Sequence, residues 1–442
     1  MSTNQYIAPI TKEERDNQIY IGGCKLSDLA QEYGTPLYVM DEQTIRKTCQ
    51  EYKSAFSGYP NAKMMYASKA LCNMAISKVI ASEGFGFDVV SIGEIYTLYK
   101  AGIDMTTLMF NGSNKTYSEI EQALNLGVTH FSIDNYYEVD LLAQATKKLG
   151  KKVEGFLRIT PGIECHTHEY IQTGQLDSKF GFNLLGSNVN DIIKYIQSSS
   201  DLIDITGLHA HIGSQIFELQ CFYDEVEVLI KEILRIKDEC GIEIKNINIG
   251  GGLGVKFTNS DIPPSIEDAA NVIIRSLNEN IAKYDLGYEP TLYMEPGRSI
   301  ISTAGVTLYT LGSIKEIPNI RKYVSIDGGM ADNPRPSMYQ AEYVAQVANN
   351  VQSDENEKVT ISGRYCESGD ILIKDITLPK ISAGDILCVY NTGAYNYSMS
   401  SNYNKATKPA MVLLNNSQSD MIIYRETLDD LVSKDCVPDR LV

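Results

Sequence analysis

Apolar residues along this chain follow two rhythms, which change over near Asp41 and again near Gly297. Between those points, short apolar runs alternate with longer stretches in which apolar residues return every three or four positions. The runs predict strands over residues 63–68, 86–90, 107–110, 130–133, 153–159, 203–212, 244–249 and 291–294. Helical spacing is clearest at Val226, Leu229, Ile230 and Ile233, which fall at i, i+3, i+4 and i+7 with acids and lysines on the other face. Ile120 and Leu124 mark another helix, which Gly127 would end as a C-cap. Eight strands alternating with helices over roughly 250 residues is the count of a (β/α)8 barrel. A doubly wound sheet has the same local signature, and periodicity alone leaves the two open.

The flanks read differently. Before Asp41 come the strand-like pieces Ile19-Tyr20-Ile21 and Pro36-Leu37-Tyr38-Val39-Met40, with a helical interlude near residues 26–32. After Gly297 the helical rhythm fades. Short strands are expected at residues 306–309, 323–326, 358–361, 371–374 and 386–390, separated by Gly, Asn, Asp and Pro turns. The expected fold class is therefore α/β: a (β/α)8 barrel over 41–297, with a mainly β domain over 298–442 that the N-terminal segment 1–40 helps to complete. With 442 residues, two domains are the natural expectation.

Composition narrows the function. A net charge of −17 argues against a nucleic-acid partner, which favours a basic face. The first twenty residues lack the basic-then-apolar order of a secretion signal, and no apolar run approaches the length of a membrane span. Nine cysteines without a Cys-x-x-Cys pair fit reduced thiols and a cytoplasmic location.

Chemistry in a barrel gathers at the C-terminal ends of strands. Met64-Met65-Tyr66-Ala67-Ser68-Lys69 ends one strand on a lysine, whose amine, desolvated there, could lose its proton and form a Schiff base with an aldehyde. Gly250-Gly251-Gly252-Leu253-Gly254 follows another strand and reads either as a phosphate cradle or as a tight turn. Period-two geometry puts His209 and His211 on one face of their strand, and Cys165-His166-Thr167-His168 supplies a second His-x-His. A zinc hydrolase and a simple buried histidine both remain open for these. Glu295-Pro296-Gly297-Arg298 closes the strand series with an anion that could hold a protonated ring nitrogen and a guanidinium suited to phosphate or carboxylate.

Taken in order, with Arg335-Pro336-x-x-Tyr339, Cys366-Glu367-Ser368-Gly369-Asp370 and Gly393-Ala394-Tyr395, these motifs resemble the diaminopimelate decarboxylase family of pyridoxal-phosphate (PLP) enzymes, built on the alanine-racemase barrel. The resemblance runs from about Pro36 to Asn404. It implies that Lys69 carries the cofactor, Glu295 holds the pyridine nitrogen protonated, His211 stacks on the ring, and Asp88 and Arg158 stand behind. Ser214, Gly250, Gly251, Gly252 and Tyr395 would hold the phosphate. Arg298, at the cofactor, would with Arg335, Tyr339 and Tyr395 grip the substrate; Glu367 would meet its distal ammonium and Cys366 would return a proton. Cys366 and Glu367 would reach the partner's site in a homodimer. The sequence departs from the family pattern at Ile92, in Asn111-Gly112-Ser113-Asn114-Lys115 and in Gly363-Arg364-Tyr365.

The implied reaction is decarboxylation of meso-2,6-diaminopimelate to L-lysine, since two arginines and Glu367 would pair every charge at the substrate's far end. Alternatives are a related decarboxylase of ornithine or carboxynorspermidine, and a non-catalytic PLP-binding homologue. The segment 160–182 is the expected lid.

Overall fold

The computed structural model describes residues 1–163, 178–184 and 188–441. Cys165, His166 and His168, and most of the expected lid, lie outside the described residues. The chain forms two compact units. One comprises Met1–Gln5, Arg46–Lys256 and Ile262–Ile300; the other comprises Tyr6–Ile45, Phe257–Asp261 and Ile301–Val442.

The first unit is a closed barrel. Strands Ala62–Ala67, Gly86–Val89, Leu108–Phe110, His130–Ile133, Val153–Thr160, Ile203–His209, Asn246–Asn248 and Thr291–Met294 pair in chain order, all parallel. Thr291–Met294 then pairs with Ala62–Ala67, Met294 beside Met64, which closes the ring and excludes the open doubly wound sheet. Polar caps start the helices soon after the strands end. The side chains of Asn73, Ser91, Thr116 and Asn135 each accept a backbone N–H from the first turn, and Thr116 with Glu119 forms a capping box. Gly127 ends its helix in the left-handed region, as its sequence position suggests. Val226, Leu229, Ile230 and Ile233 are fully buried on the helix Gln220–Cys240, each worth about 1.5–3 kcal/mol of apolar burial. At the N-terminus, Asn4 is buried against this unit, with Nδ2 donating to Gly254 O at 2.9 Å and Pro264 O at 2.8 Å.

The second unit is mainly β. Its sheet runs Ile371–Pro379, Asn356–Ser362, Arg321–Ile326, Gly305–Ile317, Leu37–Asp41, Ala410–Asn415, Gln418–Ile423, so the N-terminal strand Leu37–Asp41 lies inside the sheet. The expected strand at 306–309 is the buried start of the longer Gly305–Ile317. Its register shifts between Leu311 and Ile314, and the exposed half beyond pairs with Arg321–Ile326. That half carries no apolar run, which is why sequence reading stops short of it. In the barrel, the strand expected over 203–212 ends at His209, because Ala210 already leads into a loop; His211 stands beyond the strand rather than on its face. Among the described residues, no helix is long and apolar enough to cross a membrane.

Candidate active site at the mouth of the barrel

Lys69 sits in a single 3-10 turn, Ser68–Ala70, immediately after the strand Ala62–Ala67. The turn is anchored on both sides. Tyr66 Oη donates to Leu71 O at 3.0 Å, and Ala67 N donates to Pro296 O at 3.2 Å. A Cβ on Gly297 would lie 2.9 Å from Ala67 Cβ, so glycine lets the two loops touch. Ser68 and Ala70 are buried while Lys69 is exposed.

Glu295 is the centre of the polar network. Its N–H donates to Gly250 O at 2.6 Å, and its carboxylate is buried. Asn248 Nδ2 donates to Oε1 at 2.7 Å, Asn111 Nδ2 donates to the same oxygen at 3.2 Å, and His209 Nε2 lies 3.5 Å from Oε2. Burial favours the neutral acid. His209, Lys69 and the Asn248 amide together outweigh it and hold the carboxyl well below the usual carboxylate range. Asp88 shares Asn111 Nδ2 with Glu295 and shows the opposite shift: burial, then the charge of Glu295, raises it to about 7. Two neighbouring carboxyls thus have divided roles, one charged and one poised near neutrality.

The remaining groups are held as firmly. Lys115, fully buried, donates to Gly112 O, to Ser132 O and to Glu138 Oε1 at 2.7–2.8 Å, which fixes the loop that presents Asn111. His209 Nδ1 lies 2.8 Å from Ser132 Oγ, so a side chain, not the backbone, satisfies it. The Arg158 guanidinium lies 4.2 Å from the Phe180 ring centre, with Nε 3.9 Å from Asp134 Oδ1; burial lowers its affinity for the proton, and Asp134, Glu295 and Asp88 oppose that. Gly251 N donates to His211 Nδ1 at 3.3 Å, which leaves the ring proton on Nε2. Burial first, then Lys69 and Arg158, push His211 well below its ordinary value, so the imidazole is neutral at pH 7.

A glycine cradle adjoins it. Gly250 has φ +63°, and a Cβ there would lie 2.6 Å from His211 Nδ1; a Cβ on Gly252, at φ +114°, would lie 2.4 Å from Gly213 O. Gln215 stitches this loop to Val255 in both directions, at 2.6 and 3.2 Å. Ser214 Oγ accepts from Arg298 Nη2 at 3.0 Å and Nε at 3.3 Å.

In the β unit, Arg335 is buried with its guanidinium 5.2 Å from the Tyr339 ring centre and 5.6 Å from that of Tyr395. Its Nε has no hydrogen-bond partner among the described residues, which suits an incoming anion. Tyr395 is held at φ +61°, a strained value for a tyrosine. Cys366 and Glu367 project from a loop clasped by Asp370, whose carboxylate accepts Met330 N at 2.7 Å and Tyr365 N at 2.9 Å. Cys366 is exposed, and its N–H meets Asn404 Oδ1 at 3.4 Å. Sequence reading did not find the roles of Asn248, Asn111, Ser132 and Lys115; Asn248 and Ser132 lie at or next to strand ends, while Asn111 and Lys115 lie in the loop after Leu108–Phe110 that departs from the family pattern.

Known proteins give this arrangement a name. A diaminopimelate decarboxylase of Synechocystis sp. is 44% identical over 452 residues, covering 100% of this chain and 95% of its own length. The chain belongs to the diaminopimelate decarboxylase family. Its counterpart from Bacillus subtilis is 42% identical, covering 96% of this chain and 97% of its own. Residues 42–302 match the family described as "Pyridoxal-dependent decarboxylase, pyridoxal binding domain". The crystal structure of diaminopimelate decarboxylase from M. jannaschii in co-complex with L-lysine superposes with a TM-score of 0.92 at 35% identity, covering 99% of this chain and 100% of that one. A lysine/ornithine decarboxylase from Vibrio vulnificus, at 22% identity and a TM-score of 0.74, shares the fold.

The chain is thus a PLP-dependent decarboxylase, and the mouth of its barrel fits that cofactor. It offers an amine at Lys69, a charged carboxylate at Glu295, a neutral ring at His211, and a glycine loop in which any Cβ would collide. Among the described residues, no group of three or more His, Cys, Asp and Glu is arranged to hold a metal ion.

Proposed function

We propose that this diaminopimelate decarboxylase family member converts meso-2,6-diaminopimelate to L-lysine and CO2, and that the residues named from the sequence carry the reaction. The observation that carries this is Glu295: a buried carboxylate kept charged by two amides and a histidine. PLP, when bound, supplies an electron sink for the charge left on the α-carbon as CO2 departs. Lys69 would hold its aldehyde carbon. Glu295 would keep the pyridine nitrogen protonated, with Asp88, which shares Asn111 with it, and Arg158 tuning that charge. His211 would offer a neutral flat surface to the ring. Ser214, Gly250, Gly251, Gly252, Arg298 and Tyr395 would hold the phosphate.

At the substrate's far end, Arg298, Arg335 and Tyr339 bind the second carboxylate, with Tyr395 beside Arg335, and Glu367 binds the second ammonium. The Cys366 thiol gives a proton to the α-carbon after CO2 leaves. Cys366 and Glu367 serve the active site of a second copy in a cytoplasmic homodimer. The eight free cysteines among the described residues support a reducing compartment. Measuring kcat/KM on diaminopimelate, ornithine and carboxynorspermidine tests the substrate. Diaminopimelate should win by at least a hundredfold, because a diamine precursor leaves buried arginines unpaired; preference for either competitor would overturn the assignment.

A further inference from the structure

The barrel has a second concavity at the end opposite Lys69. It is a cavity of about 500 Å³ among the N-terminal starts of the strands, within the size range of small-molecule sites. Its floor is a packed layer of Met65, Met109 and Tyr293 with Phe156 beneath, the Phe156 and Tyr293 rings meeting edge to face at 5.3 Å. Lys53, Lys63 and His130 stand around it.

The charge of this lining is unlike that of the chain. Acids outnumber bases by 56 to 39 overall, yet among the described residues no carboxylate lines the cavity. At the edge, Glu154 Oε1 lies 3.8 Å from His130 Nε2. Lys63 Nζ rests 3.1 Å from Tyr293 Oη and 5.1 Å from that ring's centre; Lys53 Nζ donates to Glu83 O at 3.0 Å. In these contacts both ammonium groups bond only to neutral atoms, so neither is paired there with a carboxylate. Burial lowers the affinity of His130 for a proton, with Glu154 opposing and Lys63 adding to the effect.

The cavity is also separate from the catalytic end while built on the same strands. Gly86, Met109, His130 and Tyr293 each stand two residues before a member of the polar network: Asp88, Asn111, Ser132 and Glu295. Side chains two apart on a strand share a face, so the Met65, Met109 and Tyr293 layer lies beneath the network and divides the two concavities.

We propose that this cavity is a binding site for a small amphipathic organic anion, an aryl or alkyl carboxylate or sulfonate. Its apolar body rests on the methionine and tyrosine layer and its anionic head meets Lys53 and Lys63. The inference is independent of the substrate assigned above.

Anilinonaphthalene sulfonate is a suitable fluorescent probe, titrated into the intact PLP-loaded enzyme. One saturable site per chain is expected, displaced by phenylpropanoate and not by saturating L-lysine, which occupies the other end of the barrel. The Lys53→Gln/Lys63→Gln double variant, changed at two exposed positions, should weaken the probe by about tenfold. Ala62→Trp, which fills the cavity, should abolish the signal. No saturable site, displacement by L-lysine, or an unchanged affinity in the double variant would each overturn the proposal.

Discussion

Glu225 offers a quantitative test of how this barrel is held together. It lies in the helix Gln220–Cys240 between Phe222 and Val226, with 0% of its surface exposed. Neither carboxyl oxygen has a hydrogen-bond partner among the described residues. Burial, with a further push from the charge of Glu295, raises its affinity for the proton well above the ordinary range, so the folded state holds it neutral. Leucine at this position keeps the helix propensity and removes the unsatisfied group, which should stabilise the fold by about 1–3 kcal/mol.

The pH dependence has a definite sign. The unfolded chain releases this proton near the ordinary glutamate value and the folded chain does so only at higher pH. The wild type is therefore most favoured below the unfolded value, and loses about 1.4 kcal/mol per pH unit as pH rises toward the folded value. Urea unfolding of both PLP-loaded proteins between about pH 6 and pH 8 measures this, provided the slopes agree. Glu225→Leu should have the higher midpoint throughout, with a gap that widens with pH. Parallel curves, or a less stable variant, would refute the reasoning and show that the carboxyl is satisfied.

Three further outcomes follow from the site. Lys115→Met leaves Glu138 buried without its cation and should cost about 3–5 kcal/mol in urea unfolding, with loss of activity as the Asn111 loop loosens. Gly250→Ala puts a Cβ 2.6 Å from His211 Nδ1 at a left-handed backbone position; PLP affinity, read by equilibrium dialysis, should fall at least about tenfold. Cys366→Ala should lower kcat by roughly a hundredfold or more through loss of the proton donor, with little change in PLP affinity; a kcat within threefold of wild type would remove Cys366 from the mechanism.

Much of this architecture is legible in the chain. Strands 130–133 and 291–294 are found with the ends expected of them, because short apolar runs bounded by loops leave little freedom in their placement. Lys69 and Glu295 were singled out because motif and strand end coincide, and the structure places each just past the end of its strand. The polar network behind them was not singled out. Asn248, Asn111 and Ser132 are ordinary residues whose importance lies in bonds between strands far apart in the chain, to Glu295 and His209, at sequence separations of 47 to 184. The adjoining pair His209 and His211 shows the same limit. Period-two reasoning puts them on one strand face, whereas the strand ends between them. His209 packs inward on Ser132, and His211 is set by Gly251 from another loop. Local pattern gives the elements; contacts between distant strands decide protonation.

The most direct test of the central claim is where the cofactor attaches. Borohydride reduction of the PLP-loaded enzyme, followed by peptide mapping, should place the pyridoxyl group on the peptide containing Lys69. Lys69→Ala should carry no label there and release no CO2 from diaminopimelate. A label on another lysine, or a Lys69→Ala enzyme that keeps more than about a tenth of wild-type activity, would contradict the account.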